Sequence, residues 1–210
     1  MVGIPTHVLS MARHQDGPLL KGQIKSVLLT TDYVPQAVCR ALEDAWGGCV
    51  YNHYGMTEMG LGGGVQCAAR RGYHLREADL YFEIVDPATG ELLPDGQSGE
   101  VVFTTLTREG MPLIRYRTGD ISRFLTTKCP CGTVLRSMDL IRSRSSEIIE
   151  MEGESFSLPD LDEKLFVLPD VLNYAAKVKE NENGSALYVD IKTVQGRVLE
   201  DGTIRDALLT

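Results

Sequence analysis

Between Ile24 and Tyr51 the chain spells out a buried strand, an amphipathic helix and a second strand, and this order restricts the folds open to it. Ile24–Thr30 is an apolar run of strand length. Pro35 then opens a helix, Pro35–Trp46, whose apolar positions Ala37, Val38, Ala41, Leu42 and Ala45 recur at helical spacing before Gly47-Gly48 ends it. Cys49-Val50-Tyr51 resumes as a strand. A strand–helix–strand unit of this kind is the building block of a parallel α/β sheet. The glycine cluster Gly60–Gly64 that follows predicts a loop at the strand's carboxyl end, where open α/β sheets hold ligands.

Past residue 78 the pattern changes. Leu80–Val85 alternates as a strand, Asp86–Gly90 carries turn residues, and Glu100–Thr105 is another strand. Ile114–Arg117 and Ile121–Leu125 read as further short β segments, so residues 80–137 predict a small antiparallel β subdomain or barrel. A second change comes near Ser143–Ser146. Beyond it, Ile148–Met151 predicts a strand, Leu158–Leu168 a helix, and Tyr174–Lys179 and Ala186–Thr193 two strands joined by the turn Asn181–Ser185. The expected class is therefore α/β plus β. A partial α/β subdomain (1–78) and a β subdomain (79–143) precede an incomplete α+β, ferredoxin-like C-terminal domain (144–210). Neither the opening Met1–Thr6 nor the closing segment resembles a domain end, so a fragment is expected.

Composition narrows the partners. The net charge of −8 over 210 residues, with no concentrated Lys/Arg block, argues against nucleic acid. No apolar run approaches the roughly 20 residues that span a bilayer, and Met1–Ser10 lacks signal-peptide character. A cytoplasmic location without membrane partners is expected. The five cysteines then read as thiols or metal ligands before disulfides.

Two pentapeptides carry chemistry. Tyr54-Gly55-Met56-Thr57-Glu58 offers an aromatic face for a base, a hydroxyl for a phosphate and a carboxylate for Mg²⁺. Tyr116-Arg117-Thr118-Gly119-Asp120 presents a carboxylate on a turn, suited to accept both hydroxyls of a ribose. Each alone also has a bland reading. Tyr54 fits a half-buried core position, Thr57 and Glu58 a capping pair, and Asp120 a brace for its own turn.

Together with the stretches between them, these motifs carry a resemblance. Phe82–Glu91 (FEIVDPATGE), Gly99–Thr107 (GEVVFTTLT) and Met111–Asp120 (MPLIRYRTGD) join Tyr54–Glu58 in resembling the phenylacetate–CoA ligase and coenzyme F390 synthetase branch of the AMP-binding, adenylate-forming superfamily, over about residues 25–144. The resemblance implies a carboxylic acid activated by ATP as an acyl-adenylate and then passed to CoA. It implies Tyr54 on adenine with Gly55 in the same binding stretch, Thr57 at the α-phosphate and Glu58 on Mg²⁺. Asp120 and Arg144 would hold the ribose. Thr57 and Glu58 are the expected catalytic pair. A solvated surface position is the alternative for Arg144.

The family pattern is incomplete here. Its Ser/Thr/Gly-rich phosphate loop and its late catalytic lysine are absent from these 210 residues, so the chain alone is expected not to catalyse adenylation. The family hinge, Gly-Arg-x-Asp-Asp, is replaced by Ser143-Arg144-Ser145-Ser146-Glu147, with Glu152 where a basic residue precedes the glycine. The reading is thus a fragment of an aryl acid–CoA ligase, with a non-catalytic AMP-binding or scaffold module as the alternative and a homodimer as an open assembly state. Finally, Cys67, His74 and the knuckle Cys129-Pro130-Cys131-Gly132 supply three thiolates and an imidazole, the donor set of a closed tetrahedral Zn²⁺ site. Free thiols are the alternative, because one residue between Cys129 and Cys131 is fewer than usual. The resemblance adds that some relatives carry cysteines at similar places. Cys39 and Cys49 are expected in the core, and His53 as a hydrogen-bonded strand-end histidine.

Overall fold

A computed structural model describes residues 1–141, 148–151, 154–181 and 184–209. In chain order the elements are β1 (Val2–Gly3), α1 (Pro5–Ala12), β2 (Ser26–Leu29), α2 (Gln36–Trp46) and β3 (Cys49–Tyr54). They continue with β4 (Gly64–Gln66), β5 (Tyr73–Leu75), β6 (Leu80–Val85), β7 (Gly99–Thr105), β8 (Tyr116–Ser122) and β9 (Ser137–Met138). The last are β10 (Ile148–Met151), β11 (Glu154–Ser157), α3 (Leu158–Leu165), β12 (Val171–Asn181), β13 (Gly184–Thr193) and α4 (Asp201–Leu209). The chain is a mixed α/β and β protein. One six-stranded sheet runs β1-β2-β3-β4-β5-β9, a three-stranded sheet runs β6-β7-β8, and β10-β11 and β12-β13 are hairpins. No helix among the described residues is long and apolar enough to cross a membrane.

The chain divides into two compact units. One comprises Met1–Val27, Val34–Val50 and Glu147–Thr210; the other comprises Leu28–Tyr33 and Tyr51–Ser146. These groupings are drawn by packing.

In the first unit, α2 forms where the sequence predicts it. Pro35 is the extended residue before the helix, and Gly47 ends it at φ 72°, its amide bonding back to the Glu43 carbonyl at 2.7 Å. The helix buries Ala37, Val38, Cys39, Leu42 and Trp46. Trp46, 1% exposed, donates its indole N–H to the Gly17 carbonyl at 3.0 Å, so the polar end of a buried ring is satisfied. No side chain of α2's own start caps it. Glu163 from α3 accepts the amides of Gln36 and Ala37 instead, at 2.7 and 3.2 Å, and places a negative charge where the helix dipole favours one. Arg13, just past α1, donates to the carbonyls of Phe166 (2.8 Å) and Val171.

The C-terminal elements differ from expectation in three ways. A hairpin, β10–β11, precedes α3, whereas a single strand was expected there. The helix stops at Leu165 rather than Leu168, and α4 follows the last strand where no closing element is predicted. The order is β-β-α-β-β-α, not β-α-β-β, because β11 pairs locally with β10 in four antiparallel partners from Ile148↔Ser157 to Met151↔Glu154.

In the second unit β3 pairs antiparallel with β4, β4 with β5, β5 with β9, β6 with β7 and β7 with β8. Its core gathers Tyr54, Met59, Tyr73, Phe82, Phe103 and Met138, with other buried apolar residues. Two expectations are corrected here. The residues after Tyr51 do not leave the sheet, since β3 alternates in burial through Tyr54. Nor are Ile114–Arg117 and Ile121–Leu125 separate segments. One strand, β8, runs through Gly119-Asp120, and Phe124 makes only an isolated bridge to Met138. Cys39 is buried as expected, whereas Cys49 is exposed, because it sits at the first, outward-facing position of β3.

Replacing Trp46 with alanine removes a fully buried ring and should cost about 3–5 kcal/mol of stability. Urea unfolding followed by far-ultraviolet circular dichroism measures this, since Trp46 is the chain's single tryptophan and cannot serve as probe in that variant.

Candidate functional site

The two pentapeptides meet directly. Tyr54, the last residue of β3, is 7% exposed, and its hydroxyl donates to Oδ2 of Asp120 at 2.8 Å across 66 positions of sequence. Asp120 is itself only 3% exposed. The Tyr54 ring lies 5.6 Å from that of Tyr73 on β5. Burial first, and then the charge and hydrogen bond of Asp120, push the Tyr54 phenol well above its ordinary value of 10.0. Tyr73 is raised as well, chiefly by burial.

Beyond Tyr54 the chain turns through Gly55 and Met56 into a short 3-10 turn, Thr57–Met59. Thr57 is exposed, Glu58 half-buried and Met59 fully buried beneath the glycine loop. A Cβ on Gly63 would meet Met59 Sδ at 2.5 Å, so a side chain there would collide with the core. A second contact joins the motifs, because the Tyr116 hydroxyl donates to Glu58 Oε1 at 3.5 Å, the outer limit for such a bond. His53 bonds Thr30 Oγ1 through Nδ1 at 2.8 Å. Its other ring nitrogen lies where a Cβ on Gly62 would come within 2.1 Å, and Gly62 has φ 99°, so only glycine fits that position. Tyr54, Glu58 and Asp120 are therefore brought together. Arg144, with the rest of the altered hinge and Glu152-Gly153, lies outside the described residues.

Asp120 is not on a turn, contrary to the sequence reading. It belongs to β8, where Gly119 adopts φ 75° and the pairing with β7 shifts register between Glu100 and Val102. A Gly-Asp pair reads as a turn in isolation; only the long-range pairing with β7 makes it a bulged strand.

A second cluster forms in the same unit. The ligand atoms of Cys67, His74, Cys129 and Cys131 all lie within 4.8 Å of one another. Cys67 Sγ is 3.6 Å from Cys129 Sγ, and Cys131 Sγ is 3.4 Å from His74 Nε2. A tetrahedral zinc shell with about 2.3 Å bonds to sulfur separates its sulfurs by about 3.8 Å, so these spacings suit such an ion with little movement. β4 and β5 bring Cys67 and His74 together, and the knuckle is tightened by a Gly132 amide bond to the Cys129 carbonyl at 3.2 Å. Burial opposes ionisation of Cys67, but hydrogen bonds from His74, the Ala69 amide and the two other thiols outweigh it and bring the group to about 6. The backbone bond from Cys131 favours the Cys129 thiolate, yet burial and the neighbouring thiols leave that group raised. Ser137, which the sequence reading passes over, contacts His74 Nδ1 at 3.1 Å and leaves Nε2 to face the sulfurs. No spacing rule marks a lone serine; the β5–β9 pairing of His74 with Ser137 does.

A family profile described as "AMP-binding enzyme" matches residues 1–106. The chain belongs to the AMP-binding enzyme family. Within it, the chain is 37% identical over 160 residues to the phenylacetate–coenzyme A ligase of Aromatoleum evansii, covering 75% of this chain and 36% of that protein. It is 35% identical over 150 residues to the enzyme of the same name from Thermus thermophilus, covering 70% and 34%. The chain thus spans about a third of the length of these curated relatives. Among solved structures, 2-hydroxyisobutyryl-CoA ligase in the postadenylation state matches 92% of this chain and 43% of its own at a TM-score of 0.78 and 22% identity. Anthranilate CoA ligase AuaEII, in complex with anthranoyl-AMP, matches 98% of this chain and 41% of its own at 0.70 and 15% identity. At these identities the structural matches bear on the fold, which is that of acyl-CoA ligases.

The raised Tyr54 phenol sets a pH dependence. A phenol that resists ionisation when folded contributes stability fully present below its unfolded value of 10.0, and this is lost as pH climbs above it. Tyr54→Phe should therefore shallow the alkaline fall in stability above pH 10. At pH 7 it should cost about 1–3 kcal/mol, because the buried Asp120 carboxylate loses a donor. Urea unfolding across pH 7–11 compares the two proteins.

Proposed function

We propose that this chain is part of an ATP-dependent carboxylic acid–CoA ligase acting on an aryl acid such as phenylacetate through an acyl-adenylate. The observation that carries the reading is the 2.8 Å bond between Tyr54 and Asp120, which brings together the two stretches that the reading assigns to AMP. In this reading the acid's carboxylate oxygen attacks the α-phosphorus of ATP, pyrophosphate leaves, and the thiol of CoA then displaces AMP. Tyr54 and Gly55 border the adenine, Thr57 faces the α-phosphate, and Asp120, together with Arg144, holds the ribose. Thr57 is exposed at the start of its turn, which suits a group that must reach an incoming phosphate. Glu58 would hold Mg²⁺, whose charge neutralises the phosphates, while the chain's own residues orient the nucleotide. The division into domains at residues 78 and 143, and a homodimer as the assembly, belong to the same proposal.

The reading includes a structural Zn²⁺ held by Cys67, His74, Cys129 and Cys131. Three sulfurs and an imidazole nitrogen fill a tetrahedral shell and leave no position open, so the ion would fasten the β4–β5 hairpin to the knuckle without joining the chemistry.

Two measurements test these statements. Calorimetric titration with AMP should show binding by this chain that Asp120→Ala abolishes. A protein of the relatives' full length should exchange pyrophosphate into ATP when given phenylacetate. AMP binding without exchange for any aryl acid would favour a non-catalytic AMP-binding module. Metal analysis of the purified chain should find about one zinc per chain, weakened about 10- to 100-fold in affinity by Ser137→Ala. Absence of zinc in metal-replete preparations would remove that part of the reading.

A further inference from the structure

The bulge that carries Asp120 is built around a carboxylate with no role so far. Glu100 on β7 faces Ile121, and Val102 faces Arg117, so Thr118, Gly119 and Asp120 all stand against Val101. Residues added to one strand of a ladder lose their ladder partners, and their buried backbone groups need other ones. Here side chains supply several of them. Thr118 Oγ1 donates to the Val101 carbonyl at 2.8 Å and accepts the Asp120 amide at 3.0 Å. The Gly119 amide donates to Glu100 Oε1 at 3.0 Å. The other oxygen, Oε2, accepts Arg117 Nε at 2.8 Å and Nη2 as well, and Nη2 also donates to the Pro87 carbonyl at 2.6 Å. One buried residue, 6% exposed, therefore holds both Gly119 within the bulge and Arg117 just before it.

We propose that Glu100 is a positioning residue for the nucleotide. It holds the Thr118–Asp120 bulge in the shape that turns Asp120 toward Tyr54, and so acts on the ribose through Asp120. This rests on the AMP-binding reading above. An apolar residue at position 100 would suit a strand whose next positions are Val101, Val102 and Phe103, but it would leave the Gly119 amide without its acceptor. The neighbouring strand supplies a control. Glu83 is similarly buried and pairs with Arg115 at 3.3 Å, but it lies in the regular β6–β7 register opposite Val102 and bonds no residue of the bulge. If burial of an ion pair were all that mattered, the two glutamates would be equivalent.

The experiment compares the 210-residue chain with its Glu100→Ala, Glu100→Gln and Glu83→Ala variants by AMP calorimetry, thermal melting and amide hydrogen exchange. Glu100→Ala should weaken AMP about ten-fold or more and strip protection from the Gly119 amide. Glu100→Gln keeps an oxygen for that amide and should restore protection and most of the affinity. Glu83→Ala should lower the melting temperature without changing AMP affinity. Equal AMP affinity in Glu100→Ala and wild type, or an equal loss in Glu83→Ala and Glu100→Ala, overturns the proposal. If the wild-type chain binds no AMP, the nucleotide reading fails. The bulge is then judged by the Gly119 amide alone, and unchanged protection in Glu100→Ala overturns the role of Glu100.

Discussion

A carboxylate buried to 3% exposure must be compensated, and in this chain the compensation organises the surrounding unit. Asp120 takes a proton donor from Tyr54, and that bond links the three-stranded sheet to the antiparallel part of the larger one. In a medium of low polarity such a bond is strong, and losing it is costly, so strand ends, bulge and aromatic packing must agree on one geometry. The ring of Tyr73 lies against Tyr54 on one side, while Phe103 packs against Tyr116 at 5.3 Å beyond Asp120 on β8.

The thiol cluster works on the same sheet. It gathers the end of β4, the middle of β5 and the knuckle before β9, all joined by few backbone bonds because these strands are two or three residues long. Short strands have little ladder to hold their register. An ion shared by Cys67, His74, Cys129 and Cys131 would supply that hold in side-chain form, and Ser137 orients the imidazole from the opposite strand.

Legibility in the sequence tracked how local the signal was. Helix α2 could be read because Pro35, the apolar spacing and Gly47 all lie within the element. The spacing of Cys67, His74, Cys129 and Cys131 was visible as a donor set, since the chemistry of thiols and imidazole is legible without a fold. Strand β3 extends past the predicted Cys49–Tyr51, through Asn52 and His53 to Tyr54. Asn52 and His53 are accommodated by distant partners, the Gln66 side chain on the Asn52 amide and Thr30 on His53. The bulge at Gly119 was read as a turn for the same reason, as its shape is set by β7. Glu100 looked like any strand glutamate, and α4 followed a stretch with no predicted closing element.

The attachment of α3 to α2 has a consequence of its own. The first turn of α2 has no cap from its own chain segment and borrows one from Glu163, while Arg13 clasps two carbonyls at the far end of α3 and the start of β12. Apolar side chains such as Leu161 and Leu165 are buried in the same unit, yet these fasteners are polar and address backbone. Water can replace each of them in kind. If the C-terminal segment lifts away, the two amides that Glu163 had accepted pass to solvent, and α2 frays at that end. The helix and the segment then order and loosen together, which ties the local melting of one to the detachment of the other.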